Sequence, residues 1–384
     1  MTDRFETLAV HAGAEPDPAT GAVVPAIQMS TTFKQDGVGG LRGGFEYGRS
    51  DNPTRRALEA VIAALEGGSH GLAFASGLAA THAVFGLLEP GDRMVMTDDV
   101  YGGTARLALR VMGRYGIKTD AVDLRDLDAV AAALAGERPA RMVWIETPTN
   151  PLLRVADISA ITRLAATTGA MTVVDNTFAT PFLQRPLSLG ADLTVHSATK
   201  YLGGHSDVIG GLIATRSDDL SERLRFLQNA QGAVPSPFDA WLLMRGMRTL
   251  AVRMERACAN AGIIAVWLTG RPEVERVHYP GMADHPQAEL VARQMRLPGA
   301  MVSFELRGGE AAARAVAGAT RLFTLAESLG AVESLIEVPS VMTHASVAGS
   351  PMEVPAALVR LSVGIESVDD LIADLEAAFG AAGG

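Results

Sequence analysis

Lys200 is the residue with the clearest capacity for chemistry, because an amine just beyond a buried strand can react covalently. The apolar and β-branched run from Leu193 to Val195 predicts the strand, and small hydroxyl residues and a Gly-Gly pair surround the lysine. A lysine in this place is costly unless it is paired, exposed or used covalently. It is therefore either a solvated residue of a turn, as most lysines are, or a Schiff-base lysine with a desolvated amine and a lowered pKa.

Other polar residues follow the predicted strands at the points where those strands end. Ligands of open α/β sheets bind outside the carboxyl ends of the strands, so we expect these residues to meet at one edge. They are Ser76-Gly77-Leu78 at the start of a helix, Tyr101, Asn150, Asp175, Ser197, Thr199 and Lys200. The set combines helix N–H groups and hydroxyls that suit a phosphate, an aromatic ring, a buried acid and an amine.

A phosphorylated pyridine aldehyde needs this combination of groups. The lysine binds the aldehyde as an imine, and the acid keeps the ring nitrogen protonated, so that the ring withdraws electrons from a substrate carbanion. The aromatic side chain stacks on the ring, while hydroxyl and helix N–H groups bind the phosphate. No single element is specific, and the prediction depends on their joint, ordered occurrence.

Alternating strands and helices must position these groups. Asn52 and Pro53 predict the N-cap and first turn of a helix that ends at Gly67-Gly68. Further strands are predicted at 72–75, 93–97, 142–145, 171–175 and 193–195, and helices at 76–88, after 101–104, at 126–134 and at 157–168. This alternation is typical of a mostly parallel sheet covered by helices.

The remaining segments predict an arm and a second domain. Residues 1–50 lack clear periodicity and predict an extended arm that crosses to another subunit. A long helical stretch is predicted at 236–268, followed by strands at 301–306 and 358–363 and helices at 311–316 and 368–379. We therefore expect an α/β protein with an N-terminal arm (1–50), a large domain (51–255) and a smaller C-terminal α/β domain (256–384).

Composition excludes several classes of function. The 384 residues include 33 basic and 43 acidic side chains, a formal net charge of −10, and no basic run, which argues against nucleic acid or an anionic membrane as a partner. The single cysteine, Cys258, excludes an internal disulfide framework and a Cys-cluster metal site. The N-terminus does not resemble a secretory signal, and no window approaches ~20 uninterrupted apolar residues. We expect a soluble cytoplasmic protein with no metal site.

A series of specific motifs spans nearly the whole chain. They are V-H-A-G (10–13), Y-G-R-S-D-N-P-T-R (47–55), S-G-L-A-A (76–80), Y-G-G-T (101–104), E-T-P-T-N-P (146–151), V-D-N-T-F (174–178), S-A-T-K-Y-L-G-G-H-S-D (197–207), A-E-S-L-G (326–330), M-T-H-A-S (342–346) and R-L-S-V-G-I-E (360–366). In these motifs the chain resembles the Cys/Met-metabolism family of pyridoxal-phosphate enzymes, the transsulfuration group. The resemblance implies PLP fold type I and pyridoxal 5'-phosphate (PLP) as the cofactor.

The resemblance also implies roles in the cofactor site. Lys200 binds the cofactor aldehyde and later moves protons between Cα, Cβ and the cofactor. Asp175 pairs with the pyridine nitrogen, and Tyr101 stacks on the ring and assists proton transfer. The remaining cofactor-binding residues are Ser76, Gly77, Leu78, Thr177, Ser197 and Thr199.

For subunit contacts and substrate binding, the resemblance implies a further set of residues. Tyr47 and Arg49 reach the phosphate of a neighbouring subunit, which requires at least a dimer and implies the family's usual tetramer, a dimer of dimers. Asn150, Ser328 and Arg360 bind the amino-acid carboxylate, Arg360 through a bidentate fork. Without the resemblance, Tyr47 would be interpreted as a packed aromatic residue and Arg360 as a surface cation.

Local features narrow the reaction. Gly103 occupies the place where methionine-cleaving relatives usually have cysteine, which disfavours a methionine γ-lyase. Glu46 and Glu327 match acidic positions used near the distal amino group of cystathionine, and Arg106 matches a basic position for its distal carboxylate. A second amino-acid group in the substrate requires an acidic side chain near its ammonium and a basic side chain near its carboxylate. The alternative is that all three are solvated charges.

The expected reaction is a γ-replacement that joins an O-acyl-L-homoserine and L-cysteine to L-cystathionine. The segment from Phe33 to Gly37, followed by G-L-R-G-G, resembles bacterial members of the group with this activity. The alternatives are γ-elimination of L-cystathionine to cysteine, 2-oxobutanoate and ammonia, and a non-catalytic PLP-binding scaffold. A role in secondary metabolism also stays open. Leu78 replaces the family's usual methionine, which is conservative for a backbone contact. Ala331 and Gly48 replace a usual glycine and a usual small polar residue, which implies an altered substrate pocket.

Overall fold

A seven-stranded sheet forms the centre of the larger part of the protein. The computed structural model describes residues 3–136, 138–343 and 353–382. The strands are β1 His70–Phe74, β2 Arg93–Thr97, β3 Lys118–Val122, β4 Met142–Glu146, β5 Met171–Asp175, β6 Leu193–Ser197 and β7 Gly211–Thr215. Their order is β1-β7-β6-β5-β4-β2-β3, and only β7 runs antiparallel to its neighbours. The predicted mostly parallel sheet is confirmed.

Helices cover both faces of this sheet and continue into the C-terminal part. They are α1 Phe5–His11, α2 Pro53–Glu66, α3 Gly77–Phe85, α4 Gly102–Arg106, α5 Leu127–Ala135, α6 Ile158–Thr168, α7 Thr180–Leu183, α8 Asp218–Gln231, α9 Pro237–Met247, α10 Leu250–Thr269, α11 Ala288–Gln294, α12 Gly309–Ala319 and α13 Val368–Ala382. Helix α2 begins as predicted, because the Asn52 side chain accepts hydrogen bonds from the backbone N–H groups of Thr54 and Arg55.

The central strands are buried on both faces because their side chains alternate between two apolar clusters. On β4, Trp144 packs with Met94 and Met96 on one face, while Val143 and Ile145 pack on the other. All five residues of β4 are buried. A nearly continuous apolar strand of this kind is stable only between two layers of helices, and this arrangement leaves the carboxyl ends of the strands as the open edge.

A second sheet follows α10. Its strands are β8 Val274–His278, β9 Met301–Leu306, β10 Thr324–Leu325, β11 Leu335–Glu337 and β12 Leu358–Ser362, in the order β10-β11-β12-β9-β8. Helices α10 and α12 pack on it, α13 packs against both helices, and one apolar cluster extends from Phe5 to Phe379. The domain division at residue 255 falls inside α10 and stays a prediction.

Two expectations from the sequence are wrong in detail. The expected arm of residues 1–50 begins with a short helix, α1, in which Phe5 and Ala9 are buried and the Phe5 ring meets Phe182 edge-on at 5.3 Å. A helix this short depends on tertiary packing rather than on its own propensity, so periodicity did not predict it. The long helical stretch is two helices, α9 and α10, which are separated by Arg248 and Thr249.

Candidate active site

A cavity of about 310 Å³ lies where the carboxyl ends of β4, β5 and β6 meet the start of α3. Most of the residues expected to bind cofactor or substrate line it: Ser76, Gly77, Leu78, Tyr101, Asn150, Asp175, Thr177, Ser197, Thr199, Lys200, Glu327, Ser328 and Arg360. The topology explains this convergence, because parallel strands present the residues that follow them at one edge of the sheet.

The start of α3 lines the cavity with groups that suit an anion. Ser76 caps the helix by accepting the N–H of Ala79, so the first-turn N–H groups of Gly77 and Leu78 remain without partners inside the helix. A Cβ at Gly77 would lie 2.8 Å from the Cβ of Ser197, so only glycine allows the helix this close to β6. Backbone donors and the positive end of the helix dipole suit a phosphate.

Asp175 lines the same cavity at the point where β5 terminates. Its carboxylate accepts the N–H of Thr177 at 3.1 Å. Burial raises the pKa of Asp175 above its ordinary range, although the hydrogen bonds from Thr177 partly oppose that shift. A buried carboxylate is costly unless a cation compensates it. A protonated ring nitrogen is such a cation.

Glu146 is a site residue to which the sequence analysis gave no role. One of its carboxylate oxygens accepts the backbone N–H of Tyr101 at 3.0 Å, and the other accepts that of Asn150 at 3.1 Å. Glu146 therefore connects the residue expected to stack on the ring to a residue expected to bind the carboxylate. Burial, and then the neighbouring Asp175, raise the pKa of Glu146 well above its usual range. The E-T-P-T-N-P motif contains it, but these contacts arise only from the fold.

Lys200 lies in the cavity rather than in solvent. Its Nζ donates a hydrogen bond to the Oγ of Ser328 at 2.7 Å. Burial, and then the nearby Arg360 guanidinium, lower the pKa of Lys200 to about 8. A lysine amine with a pKa near 8 is substantially unprotonated at mildly alkaline pH, which an attack on an aldehyde requires.

Arg360 is a buried cation with several fixed partners. Its Nη1 donates to the Oδ1 of Asn150 at 2.7 Å, and its Nη2 donates to the backbone carbonyl of Ser328 at 2.9 Å. The Oε1 of Glu337, a residue that sequence reasoning missed, lies 3.0 Å from Nη1. Ser328 has a φ of 95°, a strained conformation for a non-glycine residue, which directs both its hydroxyl and its carbonyl to site residues.

Tyr101 lies at the cavity entrance, where 39% of its surface is exposed. Partial burial raises the pKa of its hydroxyl, and the positive charge of Arg106 opposes that rise. A Cβ at Gly103 would overlap the Tyr101 ring, so the glycine leaves room for the ring in this position. Arg106 itself is exposed in the last turn of α4 and does not line the cavity.

The structure does not place Glu46, Tyr47 and Arg49 at the cavity of the same chain. All three are exposed, and the Nη1 of Arg49 donates to the backbone carbonyl and the Oδ1 of Asn229 at 2.7 and 2.9 Å. The expected roles of Tyr47 and Arg49 at a neighbouring subunit, and of Glu46 near the distal amino group of the substrate, stay predictions. Residues 344–346 of the M-T-H-A-S motif lie outside the described residues.

The residues of the cavity are compatible with a phosphorylated pyridine aldehyde. The start of α3 and Asp175 line the same cavity, and the Asp175 carboxylate forms no ion pair with Lys, Arg or His within the described residues, although His196 favours its ionised form. Lys200 lies in the same cavity with a lowered pKa. The fit rests on this donor set and on the close approach at Gly77, since a Cβ there would meet Ser197. The same cavity contains Arg360, which can bind a carboxylate in addition to the cofactor.

Three comparisons with known proteins find relatives over nearly the whole chain. Residues 6–380 match the model of a family described as Cys/Met metabolism PLP-dependent enzyme. A cystathionine gamma-synthase of Mycobacterium tuberculosis is 57% identical over 375 residues, which cover 97% of this chain and 96% of the relative. A cystathionine beta-lyase of Lactococcus lactis is 50% identical over 377 residues, which cover 97% of this chain and 98% of the relative. The crystal structure of a cystathionine gamma-lyase from Lactobacillus plantarum, complexed with L-serine, has a TM-score of 0.96 and 46% identity, covering 99% of this chain and 100% of that chain.

Proposed function

We propose that this chain, which belongs to the Cys/Met metabolism family of PLP-dependent enzymes, joins an O-acyl-L-homoserine and L-cysteine to give L-cystathionine. Family membership confirms the expected resemblance, the PLP cofactor, the enzymatic activity and the fold type. In the proposed reaction the Cγ–O bond of the homoserine breaks and a Cγ–S bond forms. The cysteine thiol loses its proton, and the acyl group leaves as a carboxylate.

Bound PLP supplies an electron sink that acidifies the protons at Cα and Cβ of the substrate. The proposed role of Lys200 is to take and return those protons, and a pKa near 8 suits a general base at neutral to mildly alkaline pH. Ser328 orients the amine through its 2.7 Å hydrogen bond. Arg360 and Asn150 bind the α-carboxylate and so present Cα to Lys200. Tyr101 covers the open side of the cavity.

One observation carries the assignment to a substrate with two amino-acid heads. The cavity contains both Arg360, which suits one α-carboxylate, and Glu327, an acid that suits an ammonium group. Arg106 lies close enough to Tyr101 to influence its pKa and supplies a basic group near the entrance. The relative at 57% identity is named a cystathionine gamma-synthase, which supports the synthetic direction.

The second candidate is γ-elimination of L-cystathionine. It uses the same lysine and the same charge polarity, and the superposed structure at 46% identity is a cystathionine gamma-lyase. The holoenzyme should therefore be incubated with O-succinyl-L-homoserine and L-cysteine, and separately with L-cystathionine, with products identified by mass spectrometry. Formation of cystathionine supports the proposal, whereas 2-oxobutanoate from cystathionine without condensation overturns it. No turnover of either by a cofactor-loaded protein would leave the scaffold alternative. Lys200→Ala is the inactive control.

We also propose a homotetramer, a dimer of dimers, in which Tyr47 and Arg49 bind the cofactor phosphate of the neighbouring subunit. Both are exposed in the single chain, and Asn229 fixes the Arg49 guanidinium. A hybrid oligomer tests this directly, because combining Lys200→Ala with Arg49→Met subunits regenerates intact sites only if Arg49 acts across the interface. Recovery of activity on mixing is expected; no recovery would refute the exchange. Light scattering gives the subunit number.

The proposed location is the cytoplasm, where reducing conditions preserve the free thiol of a cysteine substrate. None of the helices in the described ranges has the length and apolar character needed to cross a membrane. The proposed functional units remain the arm (1–50), the large cofactor-binding part (51–255) and the C-terminal part (256–384). Limited proteolysis of the holoenzyme would test those boundaries by the sites at which it cuts first.

A further inference from the structure

Glu337 forms a buried ion pair with the arginine to which we assign the substrate carboxylate. Glu337 and Arg360 lie opposite each other on the neighbouring strands β11 and β12, and their side chains are 1% and 2% exposed. We propose that Glu337 partly neutralises Arg360 and thereby sets the affinity of the site for α-carboxylates. The inference rests on the proposed role of Arg360 and deepens it.

The guanidinium retains unused hydrogen-bond donors while Glu337 stays in place. Nη1 is occupied by the Oδ1 of Asn150 at 2.7 Å and by the Oε1 of Glu337 at 3.0 Å. Nη2 donates one hydrogen to the carbonyl of Ser328 at 2.9 Å, and Nε has no partner. Because Nε and Nη2 share one side of the guanidinium, a carboxylate can bind there through two parallel hydrogen bonds.

A bound carboxylate and Glu337 would then share a single buried cation. Like charges on two sides of one guanidinium repel each other, and the repulsion is strong because little water screens it. The other charges near Glu337 do not cancel this repulsion. Arg360 and Lys200 favour the ionised form of Glu337, but the nearby acid Glu327 disfavours it. Glu337 therefore lowers the affinity of the site for substrate and product carboxylates. A lower affinity for carboxylates assists the release of a product that carries two of them.

Glu337→Gln separates this electrostatic effect from a positioning effect. The amide oxygen can still lie beside the Nη1 of Arg360, 3.0 Å away in the wild type, and accept the hydrogen bond that the Oγ1 of Thr343 donates to Oε1 at 2.8 Å. The substitution removes the charge and places the amide nitrogen at Oε2, an atom that has no hydrogen-bond partner in the described part of the chain. We expect the variant to bind carboxylate ligands more tightly, on the order of tenfold. If Glu337 instead served only to hold Arg360 in place, its removal would weaken binding.

The test is a titration of the holoenzyme with L-alanine and with L-alaninamide, followed by the visible absorption of the cofactor. The two ligands differ at the carboxylate. Glu337→Gln should tighten L-alanine binding about tenfold and leave L-alaninamide binding within about twofold of the wild type, a change of about 1.4 kcal/mol in one ligand only. Glu333→Gln, a nearby acid that accepts a hydrogen bond from Ser206, is the matched control and should change neither.

Each further outcome is decisive. Unchanged or weaker L-alanine binding by folded Glu337→Gln overturns the inference while the proposed function stands. Glu337→Asp retains the charge but moves it away from Nη1, so it should tighten L-alanine binding about two- to threefold. If Glu337→Gln does not fold, unchanged or weaker L-alanine binding by Glu337→Asp overturns the inference. If Arg360→Lys leaves the ratio of the two affinities unchanged, Arg360 does not bind the carboxylate and the proposed site fails as well.

Discussion

Replacing Gly77 with alanine should weaken cofactor binding, because the start of α3 is as close to β6 as two backbones allow. The added Cβ would lie 2.8 Å from the Cβ of Ser197 and 2.9 Å from its Cα. To reach the 3.4 Å at which such contacts become ordinary, the helix start must move by about 0.6 Å. The free protein can relax in this way, but a phosphate bound by the first-turn N–H groups requires the original position.

Overpacking of this kind costs about 1–3 kcal/mol. If most of that strain opposes cofactor binding, the dissociation constant for PLP rises about 5- to 150-fold. The assay is fluorescence titration of the apoenzyme with PLP. Gly318→Ala is the control, because a Cβ there meets nothing within 4 Å and the residue lies inside α12, far from the cavity lining. A Gly77→Ala protein with wild-type affinity for PLP would refute the assignment of the phosphate to this helix.

Further predictions concern charge and stability. The rate at which apoenzyme captures PLP should rise with pH around the Lys200 pKa of about 8, since only the neutral amine reacts. Arg360→Met should move that midpoint to higher pH, because Arg360 helps to lower the pKa; an unmoved midpoint would contradict the coupling. Asp175→Asn should reduce turnover on the order of 100-fold. Burial raises the pKa of Asp175 in the folded protein, so its ionised carboxylate destabilises the fold once the pH exceeds the pKa of the unfolded chain. Apo Asp175→Asn should therefore melt at a higher temperature than wild-type apoenzyme at pH 7. A lower melting temperature would contradict the buried-charge argument. Gly318→Ala should raise the free energy of unfolding by about 0.5–1 kcal/mol, measured by denaturant titration. A lower free energy of unfolding would contradict the open surroundings of Gly318.

Residues with local signals could be placed from the sequence alone. Asn52 and Pro53 predicted the start of α2, and β2 lies where its apolar run predicted it, at Arg93–Thr97. The convergence of Asp175 and Lys200 on one cavity followed from a general rule about parallel sheets rather than from long-range information. The family resemblance then added roles that residue types cannot supply.

Features that depend on tertiary contacts could not be predicted. The antiparallel strand β7 inserts between β1 and β6, and nothing in its short apolar sequence indicates that position. The roles of Glu146 and Glu337 depend on which strands are neighbours, because each contacts residues that are distant in the chain or on another strand. Helix α1 forms against Phe182, about 170 residues further along. Contacts across subunits, such as those expected of Arg49, belong to the same class.

The central claim is that the Lys200 amine binds PLP covalently in a cavity where Asp175 holds the ring nitrogen. The most direct measurement is borohydride reduction of the holoenzyme followed by peptide mass spectrometry. A reduced phosphopyridoxyl group is expected on the peptide that contains Lys200, with the visible absorption band lost in parallel. Attachment to another lysine, or a cofactor released unmodified from the reduced protein, would contradict it.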